Sequence, residues 1–437
     1  MFMISAPSLL QQSNGNNNLY KMCIRNKYLG FDFSLFKRTS VCMAVVILFF
    51  TTTVALGSDY SGSSQDTSKS TKKIKVALVM PFEVGRNEQV DAANLDGPWI
   101  HPFSLPSLHF YEGARLALDS LADLRIDCKI TCFESPSDSV GISQLINELK
   151  RDGFDLLVGT FSEKLLNHVV RKTSSNGIKL LLTQAMSSES IKGKPNCAMA
   201  YASTATQCSL VVERFKNKYP SANFIVIKGK SPREKELADV FRSAASKHHH
   251  VKMVDLNVAG ISAVSEGLST SRQNIVLFVS SEESIVNSGV LTLAKVCPKN
   301  TIICGMPTWI NFESIEFLSV KGVRISLFDN NFIDVERSER VEFRKRFVKT
   351  YFDDPLASGY AGYDVFTQIV PLIAQNSQAN LNALLDSRLK VSGGEFHFKQ
   401  LPNGGFENHH LTLTILSDYK IVDMDNMEFD SDEVESK

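Results

Sequence analysis

Short apolar runs alternate with amphipathic stretches through most of this 437-residue chain, and that rhythm constrains the fold more than any other feature. Residues 74–80 (IKVALVM) read as a buried strand that ends at Pro81. Over 110–124, Phe110, Ala114, Ala117, Leu118 and Leu121 recur on one face at helical spacing. A strand over 126–133, a helix over 138–151 with Ser137 as its N-cap, a strand over 154–159, a helix over 163–174 and a strand over 178–182 follow. Strands separated by helices of about 10–15 residues cannot pair as hairpins and predict a parallel, doubly wound α/β sheet. After Pro195-Asn196 the rhythm restarts: helices over 206–219, 233–247 and 285–294, and strands over 224–227, 251–256, 274–279 and 301–304. Later come helices over 341–351 and 363–375. Residues 396–399, the Gly404-Gly405 turn and 411–416 then read as an antiparallel hairpin.

Two such series with no long linker between them imply two interlaced lobes joined by short crossovers. The expected division is 73–203 with 330–388 for lobe 1, and 204–329 with 389–424 for lobe 2. Residues 58–72 read as a flexible Ser-rich linker and 425–437 as an acidic tail.

Charge is arranged locally rather than globally. Lys+Arg and Asp+Glu both number 47, so the chain has no nucleic-acid footprint and no nucleic-acid partner is expected. The excess sits at the ends: five basic residues against one acid in 1–57, and seven acids against one lysine from Asp423 to Lys437. Lys37-Arg38 precede an apolar run over 41–56, which closes in Ala55-Leu56-Gly57. A basic flank, a run of about 16 apolar residues against the roughly 20 that span a bilayer, and small residues before Ser58 make 1–57 a signal peptide. The protein is therefore expected in the periplasm or cell envelope, with an uncleaved N-terminal anchor as the alternative. Six cysteines follow the leader; Cys128 and Cys132 share a strand face about 13 Å apart, too far for a disulfide.

Catalytic signatures are missing. The chain has no G-x-S-x-G elbow, no G-x-G-x-x-G fingerprint and no H-E-x-x-H helix. Gly229-Lys230-Ser231 lacks the earlier glycine of a phosphate loop, because position 224 is Phe. His248-His249-His250 and the His409-His410 pair read as solvated or structural rather than metal ligands. The expectation is a non-enzyme without cofactor or metal.

The runs IKVALVMPF, FYEGARLALDSL, DLLVGTFSE, TIICGMPTW, SGYAGYDVFTQIV and GGFENHHLTL occur in an order and spacing that resembles the type I periplasmic binding proteins. The nearest members of that kind are the leucine/isoleucine/valine-binding proteins and the amino-acid ABC-transporter substrate-binding proteins. The resemblance covers about residues 73–422. It implies two α/β lobes around a central cleft and a non-catalytic solute-binding role.

Ligands of open α/β sheets bind beyond the C-terminal strand ends, near helix N-termini. In this chain the loops there are Gly159-Thr160-Phe161-Ser162 and Thr183-Gln184-Ala185-Met186-Ser187. The resemblance implies that Thr160, Ser162, Thr183, Ala185 and Ser187 grip a ligand carboxylate; the alternative is that the hydroxyls only cap helices. From the second lobe, Glu282 is a candidate for an ammonium group and Trp309 for an apolar side chain. The long segment 81–109 brings Trp99, His101 and Phe103 to the same edge, as an aromatic clamp or as the loop's own anchors. One departure from the family is the stretch after Tyr201, which reads Ala202-Ser203-Thr204-Ala205.

The expected function is an exported protein that captures a small polar ligand by hinge closure, with an ABC transporter permease as partner. The alternative is an envelope assembly or regulatory protein that uses the fold as a protein-contact platform. An open polar cleft favours the first reading, and a cleft filled by Trp99 or Phe103 the second.

Overall fold

The computed structural model describes residues 71–93, 100–246, 251–312, 324–376, 380–385, 389–391, 394–417 and 420–426. Residues 1–57, read as a leader, together with Trp99, the triple histidine at 248–250 and the acidic stretch beyond 426, lie outside these residues.

Strand β1 (Lys72–Met80) organises the first sheet. Its residues from Val76 to Met80 are all buried, as a strand covered on both faces requires. Val76, Leu78 and Met80 enter one core cluster, while Ala77 and Val79 enter the cluster on the opposite face, which is the two-residue period of a strand. Helices α1 (Val84–Ala93), α2 (Leu105–Leu116) and α3 (Leu118–Asp123) lead to β2 (Ile126–Glu134), parallel to β1. The continuous helix expected over 110–124 is two segments, divided at Ala117. Next come α4 (Ser139–Arg151), β3 (Leu156–Gly159), α5 (Glu163–Asn176), β4 (Lys179–Leu182) and β5 (Cys197–Met199). Helix α4 is capped by Asp138, whose carboxylate accepts the Gly141 N–H at 2.8 Å, rather than by Ser137.

The second sheet repeats this plan. Helix α6 (Thr204–Lys218) is followed by β6 (Asn223–Lys228), α7 (Pro232–Ser246), β7 (Val251–Asp255), β8 (Asn274–Val279), α8 (Glu283–Val296), β9 (Thr301–Cys304) and β10 (Arg324–Asp329). The chain then returns to the first lobe through α9 (Ser338–Tyr351) and α10 (Ala357–Asp364). A π-helical turn over 365–369 leads from α10 into α11 (Val370–Gln375). Six short strands close the described chain: β11 (Leu389–Val391), β12 (Gly394–Phe396), β13 (Phe398–Gln400), β14 (Phe406–Asn408), β15 (Thr412–Ser417) and β16 (Lys420–Asp423).

The strand orders are β13-β14-β5-β4-β3-β1-β2 and β16-β15-β10-β9-β8-β6-β7, with β11-β12 a small separate ladder. In each large sheet the central ladders are parallel and the antiparallel pairs lie at one edge. The fold is thus α/β with two doubly wound lobes. Strand order reverses beside β1 in the first sheet and beside β6 in the second, and these reversals open a crevice at the C-terminal strand ends.

Two expectations are corrected. Strands β13 and β14 pair within the first sheet, so the segment 389–424 does not belong to lobe 2 as a unit. The hairpin turn at Gly404-Gly405 is where it was placed, with φ of 113° and 87°, but the returning strand is β14 rather than 411–416. The latter residues form β15, antiparallel to β10 in the other sheet. Strands β5 and β10 escape the sequence reading altogether.

Helices α2 and α10 touch through glycines. A Cβ on Gly113 would run into the Gly359 carbonyl, and one on Gly362 into the Phe110 carbonyl. This close approach accounts for the small residues of SGYAGYD, and it seats α10 beside the end of β1.

Candidate functional site

A cavity of about 410 Å³ opens at the switch point of the first sheet. Its walls are the ends of β1 (Met80, Pro81), β3 (Thr160) and β4 (Thr183, Ala185), together with Phe110 of α2 and Ser358 of α10. Tyr201 on the first crossover and Asp329, Asn330 and Asn331 on the second complete it. The segment after β1 is held by Asn87. Its amide donates to the Phe82 carbonyl at 3.0 Å and to Ser104 at 2.9 Å, and its oxygen accepts the His101 N–H at 2.7 Å. Ser107 donates to the Pro81 carbonyl at 2.8 Å and fixes the rim.

Of the candidate residues, Thr160, Thr183 and Ala185 meet at this cavity. The hydroxyls of Thr160 and Thr183 bond one another at 2.8 Å. Ser162 and Ser187 are exposed residues at the heads of α5 and of a 3-10 turn; neither caps by side chain and neither lines the cavity. Glu282 is an exposed residue preceding α8, and it accepts the Ser284 hydroxyl at 3.0 Å. Trp309 is corrected from cleft to core: it is fully buried, its indole N–H donates to the Ser280 carbonyl at 2.7 Å, and it packs edge-on against Phe278. Phe103 is 54% exposed beneath the Arg86 guanidinium, so it does not fill the crevice.

Three backbone donors of these loops are engaged within the fold. The Thr160 N–H donates to the Val79 carbonyl and the Thr183 N–H to the Gly159 carbonyl, both at 3.0 Å. Gln184 clasps Phe161, accepting its N–H through Oε1 and donating to its carbonyl through Nε2 at 2.9 Å.

The polar residues that the sequence reading missed lie on the crossovers. Asp329 ends β10 and accepts the Asn331 N–H at 2.8 Å; burial pushes its carboxyl above the usual range. Burial also raises the Tyr201 phenol, and the nearby Asp364 and Asp329 carboxylates add to it. Behind the wall, Arg340 and Asp364 form a buried bidentate pair at 3.0 and 2.8 Å, and burial pushes Asp364 up to about 6 despite that partner.

Side chains tie the crossovers together. Asn330 donates to the Ala202 carbonyl at 3.3 Å and Asn408 to the Ala200 carbonyl at 2.9 Å. The buried Glu407 accepts the Ser203 N–H at 2.6 Å and the Ser188 hydroxyl at 2.9 Å, while Ser203 caps α6. His409, on the third crossover rather than in a hairpin, places Nε2 3.8 Å from Glu407. The chain therefore passes between sheets at three adjacent, cross-bonded segments beside the cavity, as a hinge requires.

No family model matches the chain, and no curated protein matches it by sequence. Solved structures do. One, described as a branched-chain amino acid ABC transporter from Rhodospirillum rubrum, superposes with a TM-score of 0.60 at 14% identity, over 80% of this chain and 100% of its own. An ABC transporter substrate-binding protein from Desulfitobacterium hafniense, in complex with Leu, gives 0.52 at 12% identity, over 81% and 100%. The C-domain of LpoA from Haemophilus influenzae, a regulator of PBP1A, gives 0.54 at 15% identity, over 80% and 99%. At such identities the likeness concerns architecture, and the architecture of this chain is that of the type I periplasmic binding proteins.

Proposed function

We propose that this chain is an exported, non-catalytic solute-binding protein of the cell envelope that holds a small polar molecule beside its interlobe hinge and delivers it to an ABC transporter. The observation that carries the reading is a cavity of about 410 Å³ at the sheet switch point, mostly apolar with a few polar groups and lined by two of the three crossovers. A ligand touching both the first sheet and the crossover residues Tyr201 and Asp329 would favour one relative setting of the lobes over others, which is how binding drives closure. A thermal-shift screen of the protein lacking 1–57 against amino acids, peptides, sugars and nucleosides, followed by titration calorimetry of each hit, tests this. Saturable one-to-one binding supports it.

A second reading is a protein-contact platform in the envelope. The engaged donors at Thr160, Phe161 and Thr183 favour it, because they withdraw three of the loop N–H groups that an amino-acid carboxylate could use. A complete screen without a hit, together with specific capture of one envelope protein by the immobilised chain, would establish this reading in place of the first.

A further inference from the structure

Several carboxylates sit close to the crossovers, and they differ in what neutralises them. Asp364 is matched by both terminal nitrogens of Arg340. Glu407 takes a backbone N–H and a hydroxyl, with His409 beside it. Asp329 alone of these three lines the cavity, and its bonds are to the backbone N–H groups of Asn331 and Asn330. Among the described residues no Lys, Arg or His pairs with it, and none lines the cavity. A half-buried carboxylate without a counter-charge is destabilised by lost hydration, and an arriving cation removes that penalty. Two further oxygens of the same wall, Asn330 Oδ1 and Ser358 Oγ, are buried without a hydrogen-bond partner. Buried acceptors left unpaired are uncommon and call for a donor. Donors for an anion are fewer, since the Thr160, Phe161 and Thr183 N–H groups are engaged and the Thr160–Thr183 pair spends one of its two hydroxyl hydrogens internally.

We propose that this cavity is an ammonium site: Asp329, helped by Asn330 and Ser358, receives the protonated amine of a small primary amine, while Phe110 and Met80 cover its apolar part. This assignment rests on the solute-binding reading above but specifies the ligand's determining group as its cation and assigns no partner to a carboxylate. An ammonium offers three N–H donors, matching one carboxylate and two neutral acceptors. Charge-assisted bonds of this kind are the stronger class.

The experiment uses the protein lacking 1–57 and a series of linear primary amines from propyl to hexyl, each beside the carboxylate and the neutral primary amide of equal length. Calorimetry and thermal shift should show binding by at least one amine, with its carboxylate and amide at least tenfold weaker. Asp329→Asn should weaken that amine at least tenfold, and Asp329→Glu should recover part of the loss. Amide or carboxylate binding as tight as the amine would overturn the ammonium site, as would an Asp329→Asn protein that binds the amine unchanged; the solute-binding reading would survive both. If Asp329→Asn fails to fold, the three-way comparison on the unaltered protein decides alone. Silence from every probe overturns the ammonium site, and silence from the wider screen overturns the solute-binding reading with it.

Discussion

Thr160 and Thr183 show how a single contact changes what a residue can do. The two hydroxyls share one hydrogen bond at 2.8 Å, so removing either leaves its partner without it. Thr160→Val should destabilise the fold by about 1 kcal/mol, whereas Thr160→Val with Thr183→Val should cost less than the sum of the singles. Urea unfolding of the four proteins of this cycle measures the difference. Any solute held by these hydroxyls should bind the double variant roughly ten- to hundred-fold more weakly, at about 1 kcal/mol per lost bond. His409 supplies a pH test. Burial lowers its basicity, against the opposing pull of Glu407. The folded state then takes up a proton less readily than the unfolded chain, so this group withdraws stability as pH falls below the ordinary histidine range of about 6.5. Between pH 7.5 and 5.5 the unaltered protein should lose more unfolding free energy than His409→Gln, read from urea midpoints at each pH.

Among elements, the α2–α10 contact is the most constrained. A methyl at Gly113 or Gly362 meets a backbone carbonyl that cannot rotate away. Overpacking of this sort costs about 1–3 kcal/mol, which outweighs the roughly 1 kcal/mol that alanine contributes to helix propensity over glycine. Both Gly113→Ala and Gly362→Ala should therefore lower the melting temperature, and a rise in either would contradict the close packing. Strand β2 gives a second expectation. Burial pushes the thiols of Cys128 and Cys132 up to about 12, so little thiolate exists near neutrality. Both should resist a disulfide reagent in the native protein and react promptly once it is unfolded in guanidinium.

At the scale of the molecule, the first lobe cannot be completed by its own early sequence. Its sheet takes β13 and β14 from beyond residue 397, and Glu407 from β14 bonds Ser203 at the first crossover. Residues 73–203 expressed alone should show no cooperative melting transition, because the sheet edge and the α10 face lose their partners. Sequencing the N-terminus of envelope-fraction protein tests export, with a start near Ser58 expected and retention of 37–57 pointing to an anchor.

What the chain determines by itself is the alternation of strand and helix. Strands such as β1 and β8 are legible because a parallel strand covered on both faces must be apolar along its length, whatever lies beside it. Strand β10 hides because Arg324 and the fully buried Ser326 interrupt its apolar run, and only the neighbouring strands make Ser326 a core residue. The Gly404-Gly405 turn is local, so it could be read; which strand answers β13 is a matter of distant pairing, so it could not. Trp309 is equally ambiguous from sequence, since a loop tryptophan can cover a ligand or fill a core, and here Phe278 and the Ser280 carbonyl claim it. The loops after β3 and β4 were legible as cavity walls because strand ends are fixed by the fold class. Asp329 and Asn330 were not, because their place depends on where the chain crosses between lobes. The crossings are set by packing between segments more than 100 residues apart, such as Asn330 and Ala202, and no local pattern records that.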